Sequence, residues 1–438
     1  MIWWLYALPG LPLAALTLPV YVFVPAFYGE LGVPLAAVGF TLLAVRLLDA
    51  ISDPLIGFLS DRIRLPMGRR RPWLVLGLPP TMTAVWMVFV PPDNPSTVYL
   101  LVWSAVLSSG WTVIILPYNA WGAELATDYD GRTGIAARRE GLVVAGTLLA
   151  TAIPALLSAS GTFSVATAMQ VLATGLLVML PITILVCVGY VPEPRDRSRA
   201  RLGWWTGLAA LKRNRPFLRL IGAYLINGWA NGLPASLFVL YVTHSLAAPN
   251  AVGPLLFVYF LSGLAAIPGW LALSRRTSKH RAWVMSMILA CATFIWVPFL
   301  GPGDVWPFAV ICVLSGFAVG ADLVLPAAIQ ADVVDVDTAD TGEQRTGIYF
   351  ALWSLATKFS LALAAGFAFP LLDGAGFRAD ASAAVASDLN DASSLFALSM
   401  LYGAAPVILK LPALVLMWSF PLGRDLQEGL RHRIEDAG

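Results

Sequence analysis

Apolar residues in this chain gather in runs long enough to cross a bilayer, separated by polar or Gly/Pro-rich breaks. A helix rising about 1.5 Å per residue needs about 20 such residues to span a hydrocarbon core of about 30 Å. The runs predict helices near 5–28, 35–60, 72–91, 97–125, 138–159 and 165–191, then near 217–244, 251–273, 281–300, 305–331, 345–371 and 394–421. The fold class expected is an all-α membrane protein, its twelve transmembrane helices arranged as two pseudo-symmetric six-helix halves. The halves are expected at 1–192 and 217–422, joined by a basic central loop over 193–216 and followed by a tail over 423–438. They echo each other: the short basic connection Asp61 to Arg71 is matched in position by Arg275 to Arg281.

Composition agrees. Of 438 residues 58% are hydrophobic and 12% charged, with a mean hydropathy of +0.75, and no soluble domain of this size needs so much apolar surface. The positions of the charges carry more than their sum. All but four of the 28 Lys and Arg residues fall in or beside alternate connections, the central loop and the tail; the exceptions are Arg46, Lys358, Lys410 and Arg378. By the positive-inside rule both termini are cytoplasmic, and the chain is expected in the plasma membrane, the inner membrane of a bacterium. Met1 runs straight into an apolar segment without a basic leader or cleavage site, so a retained first helix is expected, not a signal peptide. Cys187, Cys291 and Cys312 lie in apolar runs at unrelated spacings and imply neither a disulfide framework nor a metal cluster. His244, His280 and His432 read as ordinary loop or helix-end residues.

Two carboxylates interrupt the second run. Asp49 and Asp53 are four residues apart, so on a helix they share a face with Cβ atoms roughly 5 to 6 Å apart. An aspartate at the centre of a bilayer costs about 2.5 to 3.5 kcal/mol on insertion scales. Two like charges this close need a proton, a metal ion or a basic side chain beside them, and Arg46 can supply part of that charge. Pro54 has no N–H, so the carbonyl of Ala50 loses its helical partner. The carboxylates, the Ser52 hydroxyl and that carbonyl are oxygen donors suited to an alkali cation, whereas the His and Cys that suit zinc are absent from the stretch. A monovalent cation or proton site is expected, with a structural Arg–Asp network as the alternative.

At about 1.5 Å per residue, Asp49 lies roughly 21 Å into the second helix, Thr112 about as far into the fourth, and Lys358 roughly 20 Å into the eleventh. An acid pair, a hydroxyl and an ammonium at one depth suit alternating access about a midplane site. Lys358 reads as an exchangeable partner for the acids or as a fixed salt bridge between the halves. Asp322 reads as a second relay group or as a buried hydrogen-bonding residue; Lys410 fits a snorkelling lysine, a reading its depth in the twelfth helix leaves open. The acids near the inner end of the tenth helix, Asp332, Asp335 and Asp337, are expected to pair with basic inner loops. Tyr118, Asn119, Asn227, Trp353, Ser354 and Asp322 are candidates to line a substrate cavity, while aromatic residues at helix ends also serve as interface anchors.

Three stretches carry a resemblance. DAISDPLIGFLSDR followed by GRRRPW, LPYNAWGAELATDYDGRT, and ADVVDVDTADTGEQRTGIYFALWSLATKF together resemble the glycoside-pentoside-hexuronide:cation symporters, the melibiose permease branch of the major facilitator superfamily. The resemblance spans both halves and implies the major facilitator fold. It places Asp49, Ser52, Asp53 and Thr112 on the family's sodium site, Asp49 and Asp53 as the Na+ ligands, and Lys358 on its lysine of the eleventh helix. Ser52 replaces an asparagine, which leaves Na+ and H+ both open. The first helix lacks the acid that holds sugar in the family, Ile115 stands at the second sugar acid, and Asn119 replaces a tryptophan. A typical galactoside is therefore not the expected substrate. The animal sodium-dependent lysophospholipid transporters similarly look like this family with the sugar acids gone.

The expected function is cation-coupled symport of a small organic solute, or of an amphipathic lipid such as a lysophospholipid, with Arg46 and Lys358 coupling ion to solute. A channel or sensor on a transporter fold is the alternative from another class; a channel calls for rings of polar residues along a pore, and none is evident. An enzyme is not expected, since no nucleophile–base pair or His/Cys metal set occurs. No cofactor beyond the coupling ion and no nucleic acid is expected, the surroundings are lipid bilayer, and the chain is expected to act as a monomer.

Overall fold

A computed structural model describes residues 2–63, 66–125, 129–193, 214–341, 346–379 and 390–421. Among them are twelve helices long and apolar enough to cross a membrane. They are α1 (Ile2–Val22), α2 (Leu35–Gly57), α3 (Arg71–Phe89), α4 (Thr97–Gly122), α5 (Arg138–Ala159), α6 (Val165–Tyr190), α7 (Arg215–Ser245), α8 (Pro249–Arg276), α9 (Lys279–Phe299), α10 (Val305–Gln330), α11 (Leu352–Gly374) and α12 (Ala392–Trp418). The central loop expected over 193–216 and the tail over 423–438 lie outside the described residues, except Glu193 and residues 214–216.

The ends follow local chemistry. Helix α1 stops at Val22 and restarts as the short helix Val24–Glu30, not as one helix to residue 28. Pro25 is the reason: without an N–H it leaves the carbonyl of Tyr21 without its helical partner. Ser164 opens α6 by accepting the Thr167 N–H at 3.0 Å, and Ser278 opens α9 by accepting the Arg281 N–H at 3.3 Å. One π turn, Tyr241–Ser245, ends α7 and another, Met400–Ala404, lies within α12.

The helices pack as two compact units. The first takes its described residues from 1–197, 235–257 and 365–395, so it holds α1 to α6 together with the ends of α7, α8 and α11 nearest the 7–8 and 11–12 connections. Glycine lets those ends close onto the first six spans. A Cβ on Gly39 of α2 would lie 2.7 Å from the carbonyl oxygen of Ala365 in α11, and one on Gly253 of α8 would meet the backbone of Ala155 in α5 at 2.5 Å. Small residues are what allow helix backbones to approach this closely within a bilayer. Its core gathers Leu13, Leu74, Leu78, Ile114, Trp121 and Ile184. The second unit takes its residues from 198–234, 258–364 and 396–438 and is built around Phe217, Trp270, Trp283, Ile329 and Tyr349.

Candidate functional site

Helices α2 and α4 lie side by side in register, and their polar residues meet in pairs. The Ser108 hydroxyl lies 2.8 and 2.9 Å from the two oxygens of Asp49, and the Thr112 hydroxyl donates to Oδ1 of Asp53 at 3.0 Å. Both acids sit one helical turn apart, as do both hydroxyls, so one helix–helix contact aligns both pairs. Thr112 was legible in the sequence. Ser108 was not singled out, although it lies four residues before Thr112 and so on the same face; that spacing was the available signal.

The two acids have different surroundings. Asp49 is fully buried, and Arg46 Nη1 donates to its Oδ2 at 2.5 Å. The same guanidinium nitrogen reaches Ser108 Oγ at 3.3 Å, and its carbon lies 5.3 Å from the centre of the Tyr21 ring. Asp53 is half-buried, with the fully buried Thr112 beside it. Ser52, between the acids in sequence, has a buried hydroxyl oxygen without a hydrogen-bond partner. A buried hydroxyl left unsatisfied costs about 1 to 3 kcal/mol, so the oxygen is suited to accept a further partner. This cluster belongs to the first unit. Lys358, 7% exposed on α11, belongs to the second, as do the half-buried Trp353 and Ser354 of the same helix.

The second unit carries an ionic network of its own. Asp322 accepts the Asn227 amide at 3.0 Å and the Trp283 indole N–H at 2.5 Å on one oxygen, and the Asn231 amide at 2.7 Å on the other. Lys410 donates to the side-chain oxygens of both asparagines at 2.6 Å. Snorkelling, the reading that its depth in the twelfth helix leaves open, does not hold for Lys410: it is 1% exposed, and its ammonium finds acceptors on α7 without leaving the interior. Asp322 is half-buried and hydrogen-bonded to α7 and α9. Beside it Trp353 stacks on Tyr224 at 3.8 Å between ring centroids, and the Tyr224 hydroxyl lies 3.0 Å from that of Thr357. Just beyond α10, Lys279 grips both oxygens of Asp332 at 2.7 Å, a pairing of an acid with a basic connection; the side chains of Asp335 and Asp337 lie outside the described ones.

The other two cavity candidates lie in the first unit. Tyr118 is 1% exposed and stacks on Tyr6 at 4.7 Å, each hydroxyl donating to the other's backbone carbonyl, at 3.0 and 2.9 Å. That is a packing position inside the core. Asn119, next in sequence, is exposed and accepts from Arg139 Nη1 at 2.9 Å.

The comparisons with known proteins follow the same lines. The human sodium-dependent lysophosphatidylcholine symporter 1 is 26% identical over 417 residues, covering 87% of this chain and 75% of its own. The uncharacterized symporter sll1374 of Synechocystis is 24% identical over 512 residues, covering 96% of this chain and 94% of its own. Among solved structures, the nucleoside transporter NupG superposes with a TM-score of 0.66 at 13% identity, covering 96% of this chain and 99% of that one, a likeness of fold alone. The family profile of the MFS/sugar transport proteins matches residues 5–424, from the first span to just past the twelfth. This chain, a membrane transporter with twelve candidate spans among its described residues, belongs to the MFS/sugar transport protein family.

Proposed function

We propose that the protein is a sodium-coupled symporter for an amphipathic organic solute, with Asp53, Thr112 and Ser52 as ion ligands and Asp49 as the fixed, Arg46-paired acid beside them. The observation that carries this reading is the Ser52 hydroxyl, buried without a partner on the helix that presents both acids. Together with the Asp53 carboxylate and the Thr112 hydroxyl it forms an all-oxygen donor set, the type a hard monovalent cation takes. Asp49 cannot fill the same role as freely, because Arg46 already neutralises it.

In this reading the protein works by alternating access of the halves 1–192 and 217–422, with Lys358 as the coupling lysine. The termini face the cytoplasm, where the basic connections lie. An amphipathic solute is favoured over a sugar because the first helix has no acid and Ile115 stands where a second would be. Sugar hydroxyls need such acceptors, each worth about 1.5 to 3 kcal/mol when charged. The lysophosphatidylcholine symporters, similar along most of this chain, point the same way.

The test is uptake of labelled lysophosphatidylcholine into proteoliposomes under an inward Na+ gradient at equal pH. Uptake that follows the gradient and disappears in Asp53→Asn is expected. Uptake that ignores Na+ and follows a pH gradient overturns sodium coupling, and uptake undiminished in an Asp49→Asn, Asp53→Asn double variant overturns the site.

A further inference from the structure

The network on α7, α10 and α12 has an order that simple neutralisation does not require. Two asparagine amides stand between the ammonium of Lys410 and the carboxylate of Asp322. An ammonium only donates, so both asparagine oxygens turn toward Lys410 and both amide N–H2 groups toward Asp322. Burial follows the same order. Lys410 and Asn227 are 1% and 2% exposed, whereas Asn231 and Asp322 are half-buried. The positive end is sealed in protein and the negative end is partly uncovered.

The uncovered end has capacity to spare. An ionised carboxylate offers about four acceptor sites, and the three donors named above leave room for another. Aromatic side chains stand beside it: the Trp283 indole N–H donates to it, and Tyr224 lies three residues before Asn227 on α7, on the helix face that meets Asp322. Trp353 extends that surface by stacking on Tyr224. A partly uncovered carboxylate beside aromatic rings is what a quaternary ammonium ion needs, since its charge meets the carboxylate and its apolar shell meets the ring faces without any hydrogen bond.

We propose that Asp322, held in place by Trp283 and with Tyr224 and Trp353 beside it, binds the ammonium headgroup of an organic solute. This rests on the symport reading above and names the chemistry of its substrate; it does not involve the ion site on α2 and α4.

The test uses the purified full-length protein in detergent without added lysolipid, read by intrinsic tryptophan fluorescence and thermal unfolding. The probes are choline and its uncharged carbon isostere, in which carbon replaces the quaternary nitrogen. Choline is expected to bind at least about tenfold more tightly than the isostere, given the strength of desolvated cation–aromatic contacts. Asp322→Asn is expected to remove that preference while leaving the sodium-dependent stabilisation unchanged. Equal binding of the two probes, no binding of either, or a preference that survives in Asp322→Asn overturns the proposal. Should Asp322→Asn fail to fold, the comparison of probes on the unaltered protein decides alone. The sodium response is measured separately without choline, so its loss counts against the α2–α4 site and not against this one.

Discussion

Replacing each acid of α2 by asparagine separates structure from ion binding. In Asp49→Asn the Arg46 guanidinium, whose side chain is 9% exposed, keeps its charge and loses its carboxylate. Removing one partner of a buried pair costs about 3 to 5 kcal/mol. The surviving contacts with Ser108 at 3.3 Å and the Tyr21 ring at 5.3 Å recover part of this, so a loss of about 2 to 4 kcal/mol is expected. In Asp53→Asn the asparagine oxygen still accepts from Thr112 at a half-buried position, and the loss should be smaller than in Asp49→Asn. Denaturant unfolding of the detergent-solubilised protein in sodium-free buffer measures both, since bound ion would otherwise add its own stabilisation. Arg46→Gln in the Asp49→Asn background should then recover at least about 1 kcal/mol, because the stranded charge is gone. An Asp49→Asn variant that unfolds as late as Asp53→Asn, or a double variant no more stable than Asp49→Asn, would show that Arg46 is not left stranded.

Thr112→Val removes one hydroxyl from the proposed ion site at nearly constant shape and should weaken sodium-dependent thermal stabilisation about tenfold in concentration, a loss of one good ligand; Thr112→Ser should restore it. Lys410→Met strands the amide oxygens of Asn227 and Asn231 and removes the buried countercharge to Asp322. It should destabilise by about 3 kcal/mol, and adding Asp322→Asn should return part of that in a double-mutant cycle. Asp391, exposed just before α12, accepts the Ser394 backbone N–H at 2.8 Å and the Ser393 hydroxyl at 2.8 Å, and these bonds hold its carboxyl below the usual 3.8. A depressed folded value means its contribution is present above the unfolded pKa and lost as pH falls through the folded one. Amide protection in the first turn of α12, taken relative to the intrinsic exchange rate at each pH, should therefore fall below pH 3.8 in the natural protein and stay constant over that range in Asp391→Ala.

The number and rough placement of the helices were legible in the sequence because a bilayer imposes them. Hydrocarbon accepts no unpaired backbone, so each span must be an apolar helix of sufficient length. The acid pair on α2 stood out for the same reason, as did Thr112 and Lys358, whose polar groups lie where hydrocarbon makes polarity expensive. Which partners those groups take was not legible, because it depends on how helices far apart in sequence lie against each other. Ser108 became the second hydroxyl of the acid cluster only when α2 and α4 packed in register. Lys410 shows the limit most clearly: its acceptors lie 183 and 179 residues away on α7, and no local pattern distinguishes a lysine that reaches water from one that finds two amides inside. Hydrophobicity is a property of each residue and survives in the one-dimensional string. A hydrogen bond belongs to a pair, and only the folded chain brings the pair together.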